Sequence, residues 1–154
     1  MRCSIPAALA LIAASSLHAQ AAAPGLDLGT AVPIAGNWVY SQTAGGSEAS
    51  FLNASALPQL TLRCTRATRR VTISRPASGA AAFLTVWTSA QTRGLPASFN
   101  PATQRLSAEV AASDPLLDAI AFSRGRFGVS VSGAAALVVP AWAEPQRVIE
   151  DCRV

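Results

Sequence analysis

Five arginines, Arg63, Arg66, Arg69, Arg70 and Arg75, fall within thirteen residues that contain no acidic side chain. Guanidinium groups stay charged and present forked donors, so this cluster suits phosphate or carboxylate groups on a lipid headgroup, an anionic polymer or an acidic protein. The competing account is a solvated outer face. The chain has no lysine, so every basic side chain must be an arginine. Nucleic acid fits poorly, because no aromatic residues are interleaved with these arginines.

Other chemistries are constrained more tightly. The one histidine, His18, lies at the end of an apolar N-terminal run. If that run is removed, no imidazole base remains for a Ser-His or Cys-His pair. The absence of lysine rules out a Ser-Lys dyad and Schiff-base chemistry. Two carboxylates drawn from Glu48, Glu109, Asp114 and Asp118 are the remaining route to hydrolysis. Asp114, however, already has a use as a helix cap. The first expectation is therefore no enzymatic activity and no cofactor, with a carboxylate-based hydrolase as the third-ranked function. Trp38, Trp87 and Trp142 could together stack sugar rings. Trp38 and Trp87 sit in alternating strands and are expected in the core, whereas Trp142, between Pro140 and Pro145, is the candidate for an exposed contact.

The N-terminus sets the compartment. Arg2 precedes a nearly continuous apolar run over 5–17, followed by Leu17-His18-Ala19. This is the layout of a secretory signal peptide at 1–19, cleaved after Ala19, with Ala21 and Ala23 as alternative sites. As a helix, the run would rise about 20 Å, short of a hydrocarbon layer of roughly 30 Å, so no transmembrane anchor is expected after cleavage. Removing Arg2, Cys3 and His18 leaves eleven arginines against eight acidic residues. Cys64 and Cys152 remain, and an even pair in an oxidising compartment reads as one disulfide. Two such ligands are too few for a structural zinc site, so no metal is expected.

These residues must be positioned mainly by strands. Residues 20–35 read as a linker or a loosely held first strand, and 36–154 as a single β-rich domain. Trp38 and Tyr40 alternate with polar neighbours up to a break at Ala44-Gly45-Gly46-Ser47, which suggests a hairpin. Leu60, Leu62 and Cys64 alternate with Thr61, Arg63 and Thr65; Val71 and Ile73 then alternate with Arg70 and Thr72. Residues 82–88 are apolar on both faces, as in a central strand. Gly, Pro and Asn over 93–101 indicate turns, after which Leu106, Ala108 and Val110 resume a period of two. Asp114 before Pro115 predicts a capped helix with Leu117, Ile120 and Ala121 on one face, stopped by Gly125. Phe127, Val129 and Val131 form another strand, and 137–139 a further one. A last helix opens at Glu144-Pro145 and places Val148, Ile149 and Cys152 on one face; Glu150 and Asp151 at its C-terminus should keep it short. The expected fold is mainly β: an antiparallel sandwich or curled sheet of seven to nine strands, with one or two short helices and one disulfide.

The run Pro58-Gln59-Leu60-Thr61-Leu62-Arg63-Cys64, followed by Arg70-Val71-Thr72-Ile73, resembles a signature of small exported bacterial β-sandwich proteins, including periplasmic accessory proteins associated with type VI secretion. The order continues with Trp87 in a mid-chain strand, a helix over 115–122, a strand over 127–131 and a terminal helix ending in Cys152. The acidic residues usual in the first hairpin of that group are replaced here by Ala44-Gly45-Gly46-Ser47-Glu48. The resemblance implies fold, export and the cysteine pair. The function expected is an exported, non-catalytic binding or accessory domain of the bacterial envelope, periplasmic or secreted, with a protein or envelope component as partner. The alternative is a small secreted inhibitor of a protease or lysozyme, contacting through the loops at 44–48, 93–101 and 140–145.

Overall fold

The computed structural model describes residues 25–154. The expected signal peptide and its cleavage sites lie outside the described residues. The described residues form ten strands in two antiparallel sheets. The larger sheet contains β1 (Gly36–Thr43), β2 (Gly46–Asn53), β3 (Pro58–Thr65), β4 (Arg70–Pro76), β7 (Ser98–Asn100) and β8 (Arg105–Ala111), in the order β1-β2-β3-β4-β8-β7. The smaller contains β5 (Phe83–Trp87), β6 (Thr92–Pro96), β9 (Arg126–Val131) and β10 (Leu137–Pro140), in the order β10-β9-β5-β6. Their inner faces share one apolar core, the sandwich expected from the alternating pattern. Leu60, Leu62 and Cys64 of β3, Val71 and Ile73 of β4, and Leu106, Ala108 and Val110 of β8 all point inward. Phe127 and Val129 of β9 meet them from the other sheet. Trp38 joins the layers: its ring meets Phe51 edge-on at 5.4 Å and stacks on Phe127 at 6.1 Å, while its Nε1 donates to the Pro140 carbonyl at 2.8 Å.

Two details of the first hairpin follow from a single glycine. A Cβ at Gly46 would stand 2.2 Å from the Cys64 carbonyl oxygen, so only glycine lets β2 lie this close to β3. Gly46 therefore belongs to the strand, and the break between β1 and β2 shrinks to Ala44-Gly45. The region 93–101 also differs from expectation: most of it forms β6 and β7, and Ala97 alone carries the chain from one sheet to the other. Gly94 and Pro96 are tolerated there because β6 is an edge strand, where a missing donor leaves no ladder bond unmade. These short strands raise the count above the seven to nine expected.

Both expected helices form, and α1 begins where its cap indicates. In α1 (Pro115–Ala121) the Asp114 carboxylate accepts from the Leu116 N–H at 2.8 Å, with Pro115 at the first helical position. Leu116, Leu117 and Ile120 are buried beneath it. The helix ends at Ala121 with Phe122 as its C-cap, and Gly125 (φ 73°) serves the turn into β9 instead of stopping the helix. In α2 (Ala143–Asp151) Val148 and Ile149, with Cys152 just beyond, face the core as expected. The Cys64–Cys152 disulfide ties this end of the chain to the inner face of β3, across a sequence separation of 88.

The segment before β1 packs against the smaller sheet. The Ile34 N–H donates to the Val138 carbonyl at 2.9 Å, covering part of the β10 edge. Asp27 accepts from the Gly29 N–H at 2.8 Å and the Thr30 hydroxyl at 2.9 Å, an Asx-type turn. Gly128 makes room for this segment, since a Cβ there would lie 2.4 Å from Leu26 Cδ2. Among the described residues no helix is long and apolar enough to cross a membrane.

Candidate functional site

The arginine cluster is dispersed by the fold. Arg63 and Arg70 do face outward from the larger sheet, as expected. The stretch is free of acid only along the sequence. Register sets Glu48 directly beside Arg63, and Glu109 on β8 holds Arg70 Nε at 3.2 Å. Arg66 and Arg69 flank the β3–β4 connection, a 3-10 turn at Arg66–Thr68, and both turn toward the end of α2. Arg66 Nε donates to the Asp151 carbonyl at 3.4 Å, and the Arg69 guanidinium to the Arg153 carbonyl. Arg66 thus satisfies a carbonyl that the helix C-terminus leaves unpaired, and both guanidinium groups oppose its negative dipole end. Arg75 leaves the cluster altogether. It shares the inward phase of Val71 and Ile73, and at the end of β4 its Nη1 donates to the carbonyls of Val129 (2.8 Å) and Ala135 (3.2 Å). Burial pushes its guanidinium below the usual range.

The same corner explains how α2 extends to Asp151 despite two carboxylates in its last turn. The Tyr40 hydroxyl donates to Asp151 Oδ2 at 2.6 Å, and the Arg147 guanidinium lies 4.1 Å from the centre of the Tyr40 ring. Asp151 is held below the ordinary carboxylate range, first by Tyr40 and then, against a desolvation cost, by neighbouring Ser47 and the charges of Arg66 and Arg147. A negative charge at a helix C-terminus is thus accommodated by partners from β1, β2 and the 3-10 turn.

Each candidate hydrolytic carboxylate has its own partner. Asp114 caps α1 and binds Arg93 at 2.7 Å, and its carboxyl is lowered chiefly by that Arg93 hydrogen bond. Asp118 pairs with Arg153 at 2.8 Å. Glu109 pairs with Arg70, and Glu48 accepts from the Ser50 hydroxyl at 3.1 Å. The surface cavities around Asp118, Asp27, Glu109 and Glu48 each have a single carboxylate in their lining. Among the described residues no group of three or more His, Cys, Asp or Glu could hold a metal ion.

Two concave surfaces stand out. One lies on the outer face of the larger sheet, a cavity of about 390 Å³ bordered by Glu48, Thr61, Arg63, Thr72, Ser74 and Arg105. Arg105 lies across it, bonded to the Ser74 carbonyl (2.9 Å) and the Thr61 hydroxyl (3.1 Å); burial lowers its guanidinium while Glu48 opposes the shift. The other lies on the outer face of the smaller sheet. Phe83, Thr85 and Trp87 occupy the outward phase of β5, opposite to the buried Leu84 and Val86. Trp87 is therefore half-buried on the outside instead of in the core, a correction to the expected placement. Trp87 Nε1 donates to Ser130 Oγ at 2.8 Å, and Gly25 lies against the far edge of the ring. The ring borders a trough of about 690 Å³ and an adjoining cavity of about 340 Å³, with Leu26 and Asp27 common to both. Trp38 is buried as expected, and Trp142 is 46% exposed.

The outer trough around Trp87 was not found from the sequence. Two signals pointed to it. Leu26 and Leu28 alternate around Asp27 in a segment expected to be a linker or loosely held first strand, and Gly128 interrupts the side chains of a strand, a mark of close backbone approach. Comparison with family models, curated proteins and solved structures gives no match for this chain.

Proposed function

We propose that this chain is an exported, non-catalytic binding or accessory domain of the bacterial envelope, periplasmic or secreted, held rigid by its Cys64–Cys152 disulfide. The observation that carries this reading is the use made of the carboxylates. Asp114, Asp118, Glu109 and Asp151 are each bonded to a group that holds a helix or strand in place, and the cavities named above have one carboxylate apiece. A glycosidase needs two carboxyl groups facing one bond at about 5–10 Å. A buried disulfide joining two elements far apart in sequence suits a domain that must keep its shape outside a reducing compartment. The signal-peptide pattern and the resemblance to periplasmic accessory proteins support the same reading.

The inhibitor alternative loses most of its contact loops. Residues 44–48 reduce to a two-residue turn and the start of β2, and 93–101 is strand except at Ala97 and Pro101. Trp142, at the start of α2, is the projecting side chain that remains for it. Cross-linking the exported protein in intact cells tests the first reading, with a discrete covalent adduct to an envelope component as the expected result. Turnover of peptidoglycan or glycan by the purified protein would overturn it. Stoichiometric loss of lysozyme or protease activity on adding the protein would favour the inhibitor.

A further inference from the structure

The trough beside Trp87 is built differently from the rest of the surface. In a chain with an excess of arginine, its lining contains no cation and one carboxylate, Asp27; Arg124 and Arg126 line only the adjoining cavity. Hydroxyls of Thr30, Thr85, Ser130 and Ser132 surround the indole. Two features fix the ring in place. The Nε1 bond to Ser130 holds its polar edge, and the packing of Gly25 holds the opposite edge. Register then places Gly128 beside Trp87, and the space a side chain would fill there is taken by Leu26, so the wall carrying Asp27 and Thr30 stands over the same floor. Asp27 is ionised at neutral pH and lies below the ordinary carboxylate range, chiefly because the Thr30 hydroxyl bonds it. One carboxylate oxygen faces the Gly29 amide and the other the Thr30 hydroxyl, leaving further lone pairs on each.

A flat aromatic surface ringed by hydroxyls and one anionic acceptor matches a molecule with an apolar C–H face and a rim of hydroxyl donors. A pyranose ring has that form. A phosphate or carboxylate ligand would meet Asp27 with no cation in the lining to offset it. A purely apolar ligand would leave the hydroxyl rim without partners. The volume, about 690 Å³, lies within the range of small-ligand pockets and leaves room for more than one sugar ring. We propose that this trough binds a neutral saccharide, with one pyranose stacked on Trp87 and its hydroxyls donating to Asp27. The proposal rests on the reading of the protein as an envelope-binding domain and names the chemistry of one ligand.

The test is titration of the oxidised protein with chitotriose and, separately, maltotriose, following tryptophan emission and calorimetric heat. The expected result is saturable binding of at least one probe, retained in Trp142→Phe. In Trp87→Ala and in Asp27→Asn it should weaken about tenfold or more, the scale of a lost charge-assisted hydrogen bond. Asp27→Asn preserves the Asx turn and removes an exposed charge, so its thermal midpoint should match the parent and separate loss of binding from loss of fold. Absence of saturation with both probes at millimolar concentration would overturn the proposal. Binding that survives unchanged in both trough variants would overturn it too. An envelope protein adduct found in cells without saccharide binding would leave the broader reading standing and remove this one.

Discussion

Removing the Cys64–Cys152 bond should destabilise the whole domain, not just release its last helix. The bond closes a loop with a sequence separation of 88, and in the chain-entropy account a loop of that size constrains the unfolded chain by about 4–5 kcal/mol. In the folded state α2 keeps other anchors: buried Val148 and Ile149, the Tyr40–Asp151 hydrogen bond, and the Arg66 and Arg69 bonds to terminal carbonyls. The native structure should therefore survive in Cys64→Ala/Cys152→Ala, with a smaller margin over the unfolded ensemble. For a domain of this length the loss corresponds to a fall in Tm of about 10–20 °C. Urea unfolding of the oxidised protein and the double variant measures the free energy, and hydrogen exchange locates it. The expected pattern is a similar loss of protection in the β3, β4 and β9 core and in α2. A change below about 1 kcal/mol would refute the loop-closure argument. Selective exchange of α2 alone would show that the bond only pins the helix.

Asp114→Ala should cost about 1–2 kcal/mol by removing the α1 cap, with a smaller part from the partly exposed Arg93 pair. Because the folded carboxyl lies below its ordinary value of 3.8, this stabilisation is complete above that value and fades as pH falls through the lowered one; the parent and variant stability curves should converge in acid. Arg75→Gln should lower the urea-derived stability by about 2 kcal/mol, since charged bonds to the Val129 and Ala135 carbonyls are lost, whereas Arg63→Gln should stay within about 0.5 kcal/mol. Equal effects of the two arginine variants would contradict the opposite faces assigned to them.

Much of the sandwich was legible because burial on one face leaves a period of two. Leu60-Leu62-Cys64, Val71-Ile73 and Phe127-Val129-Val131 each show it, and each is inward in the structure. The Asp114 cap was legible because its bond is local, two residues from donor to acceptor. What periodicity could not decide was the phase of β5. Phe83, Thr85 and Trp87 are as β-prone as Leu84 and Val86, and only the covering segment at 25–30 makes the outer phase habitable for Trp87. The arginine cluster misled for a related reason. Charge balance on a sheet face is set by neighbouring strands, and Glu48 and Glu109 are placed by register with β3 and β4, not by proximity in sequence. The glycine and proline of β6 were read as breakers, a rule that holds for central strands and relaxes at an edge.

The central claim, an exported domain locked by one disulfide, is tested most directly by the intact mass of the protein recovered from the extracytoplasmic fraction of cells. The expected chain begins at Gln20 and is lighter by two hydrogens than the same chain with free thiols, shifting to the reduced mass on treatment with dithiothreitol. A mass retaining residues 1–19, or a chain whose Cys64 and Cys152 alkylate without reductant, would contradict it.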